Sequence, residues 1–208
     1  MNGYLRLLLV IAWALALAGS FTLDRRVAQW VLDDKPVDKN NPTTRRVLDV
    51  AKLPGYFPAT LCVAGMLALF HRRQLHAPLA LIVSGIAAGA LYHVGKWIVG
   101  RHRPVKGIHP FDLPPFAGGL LGLWHSEEAL CFPSGHAALA FASAMCLAML
   151  VPKARWIFFV IATATATERV MENAHYLSDV VAGAGVGVFT GWVITRVMVK
   201  ETVRTRPH

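Results

Sequence analysis

Six apolar stretches dominate the chain, at about 4–23, 54–71, 77–100, 134–151, 155–173 and 177–199. Most approach the roughly 20 residues that a helix needs to cross the hydrocarbon core of a bilayer. Within lipid a segment has to satisfy its own backbone polar groups, and separate apolar runs do so as helices. The expected fold is therefore all-α: an integral membrane bundle of six transmembrane helices, in a single domain over residues 1–208. Composition agrees, with 55% hydrophobic and only 16% charged residues where soluble domains carry about 25%. The mean hydropathy is +0.46. The first stretch also fits a signal peptide, with one Arg before an apolar run and an Ala-Leu-Ala-Gly-Ser end. Five spans would then remain. Thr163, Thr165, Thr167 and Glu168 dilute the fifth stretch, and helical threonines are tolerated there by bonding back to their own backbone.

Charge placement sets an expected orientation. Arg72 and Arg73, then Lys153 and Arg155, then Lys200, Arg204 and Arg206 fall on one side of six alternating helices. The excess of Lys and Arg in short loops marks that side as cytoplasmic. Both termini then face the cytoplasm of a bacterial inner membrane. The net charge of +9 reads as topology charge plus an anion site rather than a nucleic-acid surface, because the basic residues form no continuous stripe. Segment 24–53 lies on the outer face. Ala28, Val31 and Leu32, then Val47, Leu48 and Ala51, have the spacing of short amphipathic helices in the interface. The loop 101–133 is rich in Pro and Gly and is expected to cover the outer end, with Phe111, Phe116 and Trp124 at the interface. Three cysteines without metal spacing favour neither a disulfide nor a zinc site.

Three polar clusters stand where the apolar runs begin or end, all on that outer side. Cations in such places are costly and usually functional. Lys96, Arg101 and Arg103 close the third run. They suit phosphate oxygens or, equally, a snorkelling lysine and basic residues at a headgroup boundary. Pro133-Ser134-Gly135-His136 opens the fourth run. Ser134 is a good helix N-cap, Gly135 allows close backbone approach, and a helix start offers N–H groups to an anion. A plain cap with an incidental histidine fits as well. In the third cluster His175 and Asp179 are four residues apart, so one helical turn aligns them. A carboxylate on one imidazole nitrogen leaves the other as nucleophile or base. A structural Asp cap beside a boundary His is the alternative. His136, His175 and Asp179 lack a dense pair of metal ligands.

In order, Lys96-x6-Arg103-Pro104, Pro133-Ser134-Gly135-His136 and Arg169-x5-His175-x3-Asp179 resemble the type 2 phosphatidic acid phosphatase family. The resemblance covers roughly residues 50–199. It implies a six-helix membrane bundle that hydrolyses lipid phosphomonoesters or diphosphates through a phosphohistidine, without metal or other cofactor. It also implies roles. Lys96, Arg103 and Arg169 would bind phosphoryl oxygens, with Ser134 and Gly135 adding hydroxyl and backbone donors. His175 would attack phosphorus, Asp179 would orient it, and His136 would protonate the leaving oxygen. The implied partners are a membrane lipid phosphate and the bilayer, with no nucleic acid. A phosphotransferase using the same intermediate, or a non-catalytic lipid-phosphate binder, shares the motifs. One position departs: the family's usual Ser before the third-cluster Arg is Glu168. A carboxylate there would repel phosphate unless it turns away, pairs with an Arg, is protonated, or meets a cationic substrate.

Overall fold

The computed structural model describes residues 3–70, 75–104 and 130–204. Its helices are α1 (Gly3–Asp33), α2 (Pro42–Lys52), α3 (Phe57–Phe70), α4 (His76–Val99), α5 (Gly135–Leu150), α6 (Arg155–Met171) and α7 (Leu177–Arg204). Single 3-10 turns at Leu53–Gly55 and Pro152–Ala154 join α2 to α3 and α5 to α6. Apart from one antiparallel bridge between His102 and Leu130, the described residues contain no strand. The greater part of the loop expected to cover the outer end, 105–129 with Phe111, Phe116 and Trp124, lies outside the described residues.

One expectation changes. The first apolar run does not stop near residue 23 to be followed by a separate interfacial helix. Helix α1 continues unbroken to Asp33. No Gly or Pro interrupts it after Gly19, and Ala28 packs against Cys131 and Tyr176. The charge that seemed to end the run, Asp24, is buried and paired with Arg101. The second expected short helix does form, as α2, opened by Pro42 and capped by the Asn41 side chain. The apolar helices are also of unequal length. Among the described residues, three helices have by themselves both the length and the apolar character to cross a membrane: Leu7–Asp33, His76–Val99 and Leu177–Val199. Helices α2 and α3 with their turn qualify together only as a pair bent by 68°. The apolar runs had absorbed turn residues, leaving α3, α5 and α6 with 14, 16 and 17 residues. At about 1.5 Å per residue these reach roughly 21–26 Å.

Large apolar side chains face outward along the helices, including Leu7, Leu8, Leu15, Met66, Ile86, Trp156, Val160 and Phe189. Small and hydroxyl side chains face inward, among them Ser20, Thr60, Ser84, Ala138, Ala142, Thr165 and Thr195. Apolar outside and small-polar inside is the pattern of a protein solvated by lipid, where association relies on close packing and interhelical hydrogen bonds. The Thr60 and Ser143 hydroxyls meet at 3.1 Å. The expected back-bonding appears in α6, from Thr163 Oγ1 to the Phe159 carbonyl at 2.8 Å.

Helix α5 is central, packed on α4, α6 and α7. Its contact with α7 depends on Gly183, Gly187 and Gly191, one per turn along a single face. A Cβ on Gly187 would meet the Ala138 carbonyl and come within 2.7 Å of the Ala142 nitrogen. The backbones therefore touch directly, as in small-xxx-small helix pairs. The opposite face of α7 receives α1, whose Trp13 Nε1 donates to the Val181 carbonyl at 3.1 Å. This packing fixes α7 from both sides.

Candidate active site

The C-terminal ends of α4 and α6 and the N-terminal ends of α5 and α7 meet at one end of the bundle, bringing the three sequence clusters together. Helix α4 closes on Gly100, whose left-handed φ of 61° lets its N–H reach the Lys96 carbonyl at 2.8 Å. Lys96 is buried in that last turn. Ser134 caps α5 through its side chain, as the sequence suggested, accepting from Ala137 N. Its own N–H donates to the Asp179 carbonyl at 2.9 Å, joining the starts of α5 and α7. After α6, Asn173 adopts φ 55°, and the Ala174 and His175 N–H groups both donate to the Arg169 carbonyl. This tight return sets His175 beside Asp179 in the first turn of α7.

His175 Nδ1 stands 3.5 Å from Asp179 Oδ2, an ion-pair approach longer than a hydrogen bond. Both side chains are almost wholly buried. His175 lies within electrostatic reach of Lys96 and Arg103, and His136 within reach of Arg169, His175, Arg103 and Lys96. Arg103 Nε, His136 Nε2 and His175 Nδ1 are buried without a hydrogen-bond partner among the described residues. Buried polar atoms of this kind call for an explanation, and a bound ligand is one. Burial holds His175 below the ordinary imidazole range, while Asp179 pulls in the opposite direction. Among the described residues no group of three or more His, Cys, Asp or Glu side chains is placed to hold a metal ion.

Glu168 is buried and paired with its neighbour. Its two carboxylate oxygens accept from Arg169 Nε and Nη2. This accounts for the carboxylate without invoking a cationic substrate, and it occupies one edge of the Arg169 guanidinium. Three of that group's five N–H bonds are left for other partners.

Sequence reasoning missed two parts of the site. The first is a wall over His136. Gly55 sits so close that a Cβ there would lie 2.7 Å from the His136 Cβ, and the Tyr56 ring meets His136 edge-on at 4.6 Å. Thr165 Oγ1 ties this wall to α6 by donating to the Ala51 carbonyl at 2.7 Å. Only the Leu-Pro-Gly run hinted at a turn. The second part is Asp24 together with Arg101. Arg101 had been grouped with Lys96 and Arg103, but its guanidinium points to Asp24 and Asp179 at 2.7 Å each.

The model of the PAP2 superfamily matches residues 77–202, and the chain belongs to that family. A lipid A 1-phosphatase of Rhizobium etli is 34% identical over 114 residues, which are 54% of this chain and 45% of that protein. An undecaprenyl-diphosphatase of Sulfolobus acidocaldarius is 29% identical over 118 residues, 56% of this chain and 53% of its own length. A lipid A 4'-phosphatase of Bacteroides thetaiotaomicron is 38% identical over 111 residues, 51% and 47% of the two chains. The matched regions thus span about half of each relative. The crystal structure of a transmembrane PAP2-type phosphatidylglycerolphosphate phosphatase from Bacillus subtilis superposes with a TM-score of 0.66 at 20% identity, covering 96% of this chain and 98% of that one. Together with the apolar helices, this fold makes the chain a multi-pass membrane protein.

Proposed function

We propose that the protein is a metal-independent lipid phosphatase hydrolysing a phosphomonoester or diphosphate whose tail stays in the bilayer. The observation that carries this reading is His175, held between the Asp179 carboxylate at 3.5 Å and a group of cations that includes Lys96 and Arg103. Asp179 engages Nδ1 and leaves Nε2 as the nucleophile. Nε2 attacks phosphorus while the bond to the leaving oxygen breaks, and His136 donates a proton to that oxygen. The charge spread over the equatorial oxygens is met by Lys96, Arg103 and Arg169, with N–H groups at the start of α5. The Ser134 hydroxyl accepts from Ala137 N and keeps its own hydrogen to donate. Water then attacks the phosphohistidine, the N–P bond breaks, and His136 takes the water proton. The products are inorganic phosphate and the dephosphorylated lipid.

In this reading α1, α3, α4, α5, α6 and α7 all cross, the three short helices through a locally thinned or tilted boundary. The site opens to the outer face of an inner membrane and both termini are cytoplasmic. The names of the relatives support a cell-envelope lipid as substrate. The test is phosphate release from phosphatidic acid, phosphatidylglycerophosphate, undecaprenyl diphosphate and lipid A by the purified protein in detergent with excess chelator. Release that survives the chelator is expected. Strict dependence on added metal contradicts the mechanism.

Two further results are expected. Because burial lowers the His175 value, the ring is neutral and nucleophilic down to pH values below the ordinary imidazole range of about 6.5. Protonation switches the nucleophile off, so kcat/KM falls only below that range as pH drops. A pH profile with its acid limb at or above pH 7 would contradict this. The second result concerns Glu168, which offsets part of the Arg169 charge. Glu168→Gln should tighten inhibition by inorganic phosphate roughly tenfold, the effect of removing one nearby like charge. An unchanged inhibition constant would mean that the carboxylate is not felt at the phosphate position.

A further inference from the structure

Asp179 is held by more than His175. Arg101 Nη1 donates to Asp179 Oδ1 at 2.7 Å and to Ser178 Oγ at 2.6 Å. The other carboxylate oxygen, Oδ2, accepts from Tyr176 N at 2.9 Å. With both oxygens fixed, the carboxylate cannot rotate, and Oδ2 faces His175. The Arg101 guanidinium in turn lies 4.0 Å from the Tyr176 ring centre. Its Nη2 donates to Asp24 Oδ2 at 2.7 Å. Asp24 Oδ1 accepts from Ser178 N at 2.8 Å, and Oδ2 accepts from Ser178 Oγ at 2.6 Å. Side-chain exposures are 5% for Arg101, 6% for Asp24 and 0% for Asp179. This is a sealed acid–base–acid chain that runs from α1 to the residue beside the nucleophile.

Its charge arithmetic matters. Arg101 and Asp179 alone would nearly cancel, and His175 would face a neutral pair. Asp24 adds a second negative charge on the far side of Arg101, so the three groups sum to −1. We propose that Arg101 and Asp24 are positioning residues of the catalytic centre. Arg101 locks the orientation of Asp179, and Asp24 takes up the Arg101 charge so that Asp179 keeps its negative field at His175. The proposal rests on the reading of His175 as nucleophile. Asp24 thereby makes α1, which lies before the family-matched residues 77–202, part of the catalytic machinery. Other charged or titratable groups around His175 are Lys96 from α4, Arg103 from the segment after it, and His136 from α5 with Arg169 of α6 beside it. Cys131 and Arg101 approach Asp179 from behind. The substitutions below leave Lys96, Arg103, His136 and Cys131 in place.

The test is the pH dependence of kcat/KM for dioctanoyl phosphatidic acid, measured on the full chain in detergent. Asp24→Asn leaves Arg101 to cancel Asp179, and the acid limb should move down by about one unit. It should also lower kcat about tenfold with little change in KM. Arg101→Gln removes the cation, and the limb should move up by a similar amount. The double variant restores the sum of −1, and its limb should return to within about 0.3 units of the native one. A merely structural role predicts lower activity without these opposed shifts. His175→Ala separates the two levels of the account. If it stays active, the nucleophile reading fails and the limb belongs elsewhere. If it is inactive while all three limbs coincide with the native limb, or both single variants shift the same way, the nucleophile stands and the present proposal falls. Should Asp24→Asn fail to accumulate folded, the upward shift in Arg101→Gln and its reversal in the double variant still decide the matter.

Discussion

His175→Ala is expected to lower kcat by at least about 10⁴-fold, the scale on which loss of an essential nucleophile operates. KM should change far less, because the cations proposed to hold the phosphate, Lys96, Arg103 and Arg169, are untouched. The replacement removes a side chain that is 3% exposed, and its backbone stays tied to the Arg169 carbonyl. The folded yield should therefore survive. The measurement is phosphate release alongside thermal unfolding in the same detergent. Turnover within tenfold of the native protein, with the fold intact, would remove His175 from the mechanism.

The second large effect lies away from the chemistry. Gly187→Leu forces a branched side chain between α7 and α5, where even a Cβ would press on the Ala142 nitrogen at 2.7 Å and on the Phe141 Cβ at 2.9 Å. Backbone neighbours cannot rotate out of the way as a flexible side chain does. A cost of about 3 kcal/mol or more is expected, at the upper end for overpacking. Helix α7 also carries Asp179 in its first turn, and the Ser134 N–H joins the two helix starts at the Asp179 carbonyl. Spreading the pair should therefore separate His175 and Asp179 from Ser134 and His136. Stability and turnover should fall together. A Gly187→Leu protein with native thermal stability would mean that the two backbones do not meet as described.

What was legible in the sequence follows from how each interaction is encoded. Ser134 could be read as a cap because capping is local. His175 and Asp179 could be paired because four residues make one helical turn. Lys96 and Arg103 stood out because cations at the end of an apolar run are costly. Asp24 was not legible as a partner. It lies 154 residues from Ser178, whose backbone and hydroxyl it accepts. Locally it looked like the polar end of a span. Arg101 sits two residues before Arg103, and spacing alone does not say that Arg101 pairs with Asp24 on α1 while Arg103 lies within electrostatic reach of His175. The approach of Gly55 and Tyr56 to His136 is likewise a tertiary contact with no local signature. The helix lengths were blurred for a different reason. The runs at 54–71 and 134–151 took in turn residues such as Gly55 and Val151 as if they were helix, so α3 and α5 looked longer than they are. The role of Gly183, Gly187 and Gly191 was not read from the sequence, because only the packing shows that they receive α5.

The central claim, a covalent phosphohistidine on His175, is tested most directly by rapid quenching during turnover of radiolabelled phosphatidic acid. The account predicts protein-bound label that is lost in acid and retained in base. The label should be present in the native protein and absent in His175→Ala. Label persisting in His175→Ala, or continued turnover of the native protein with no label at any quench time, would contradict it.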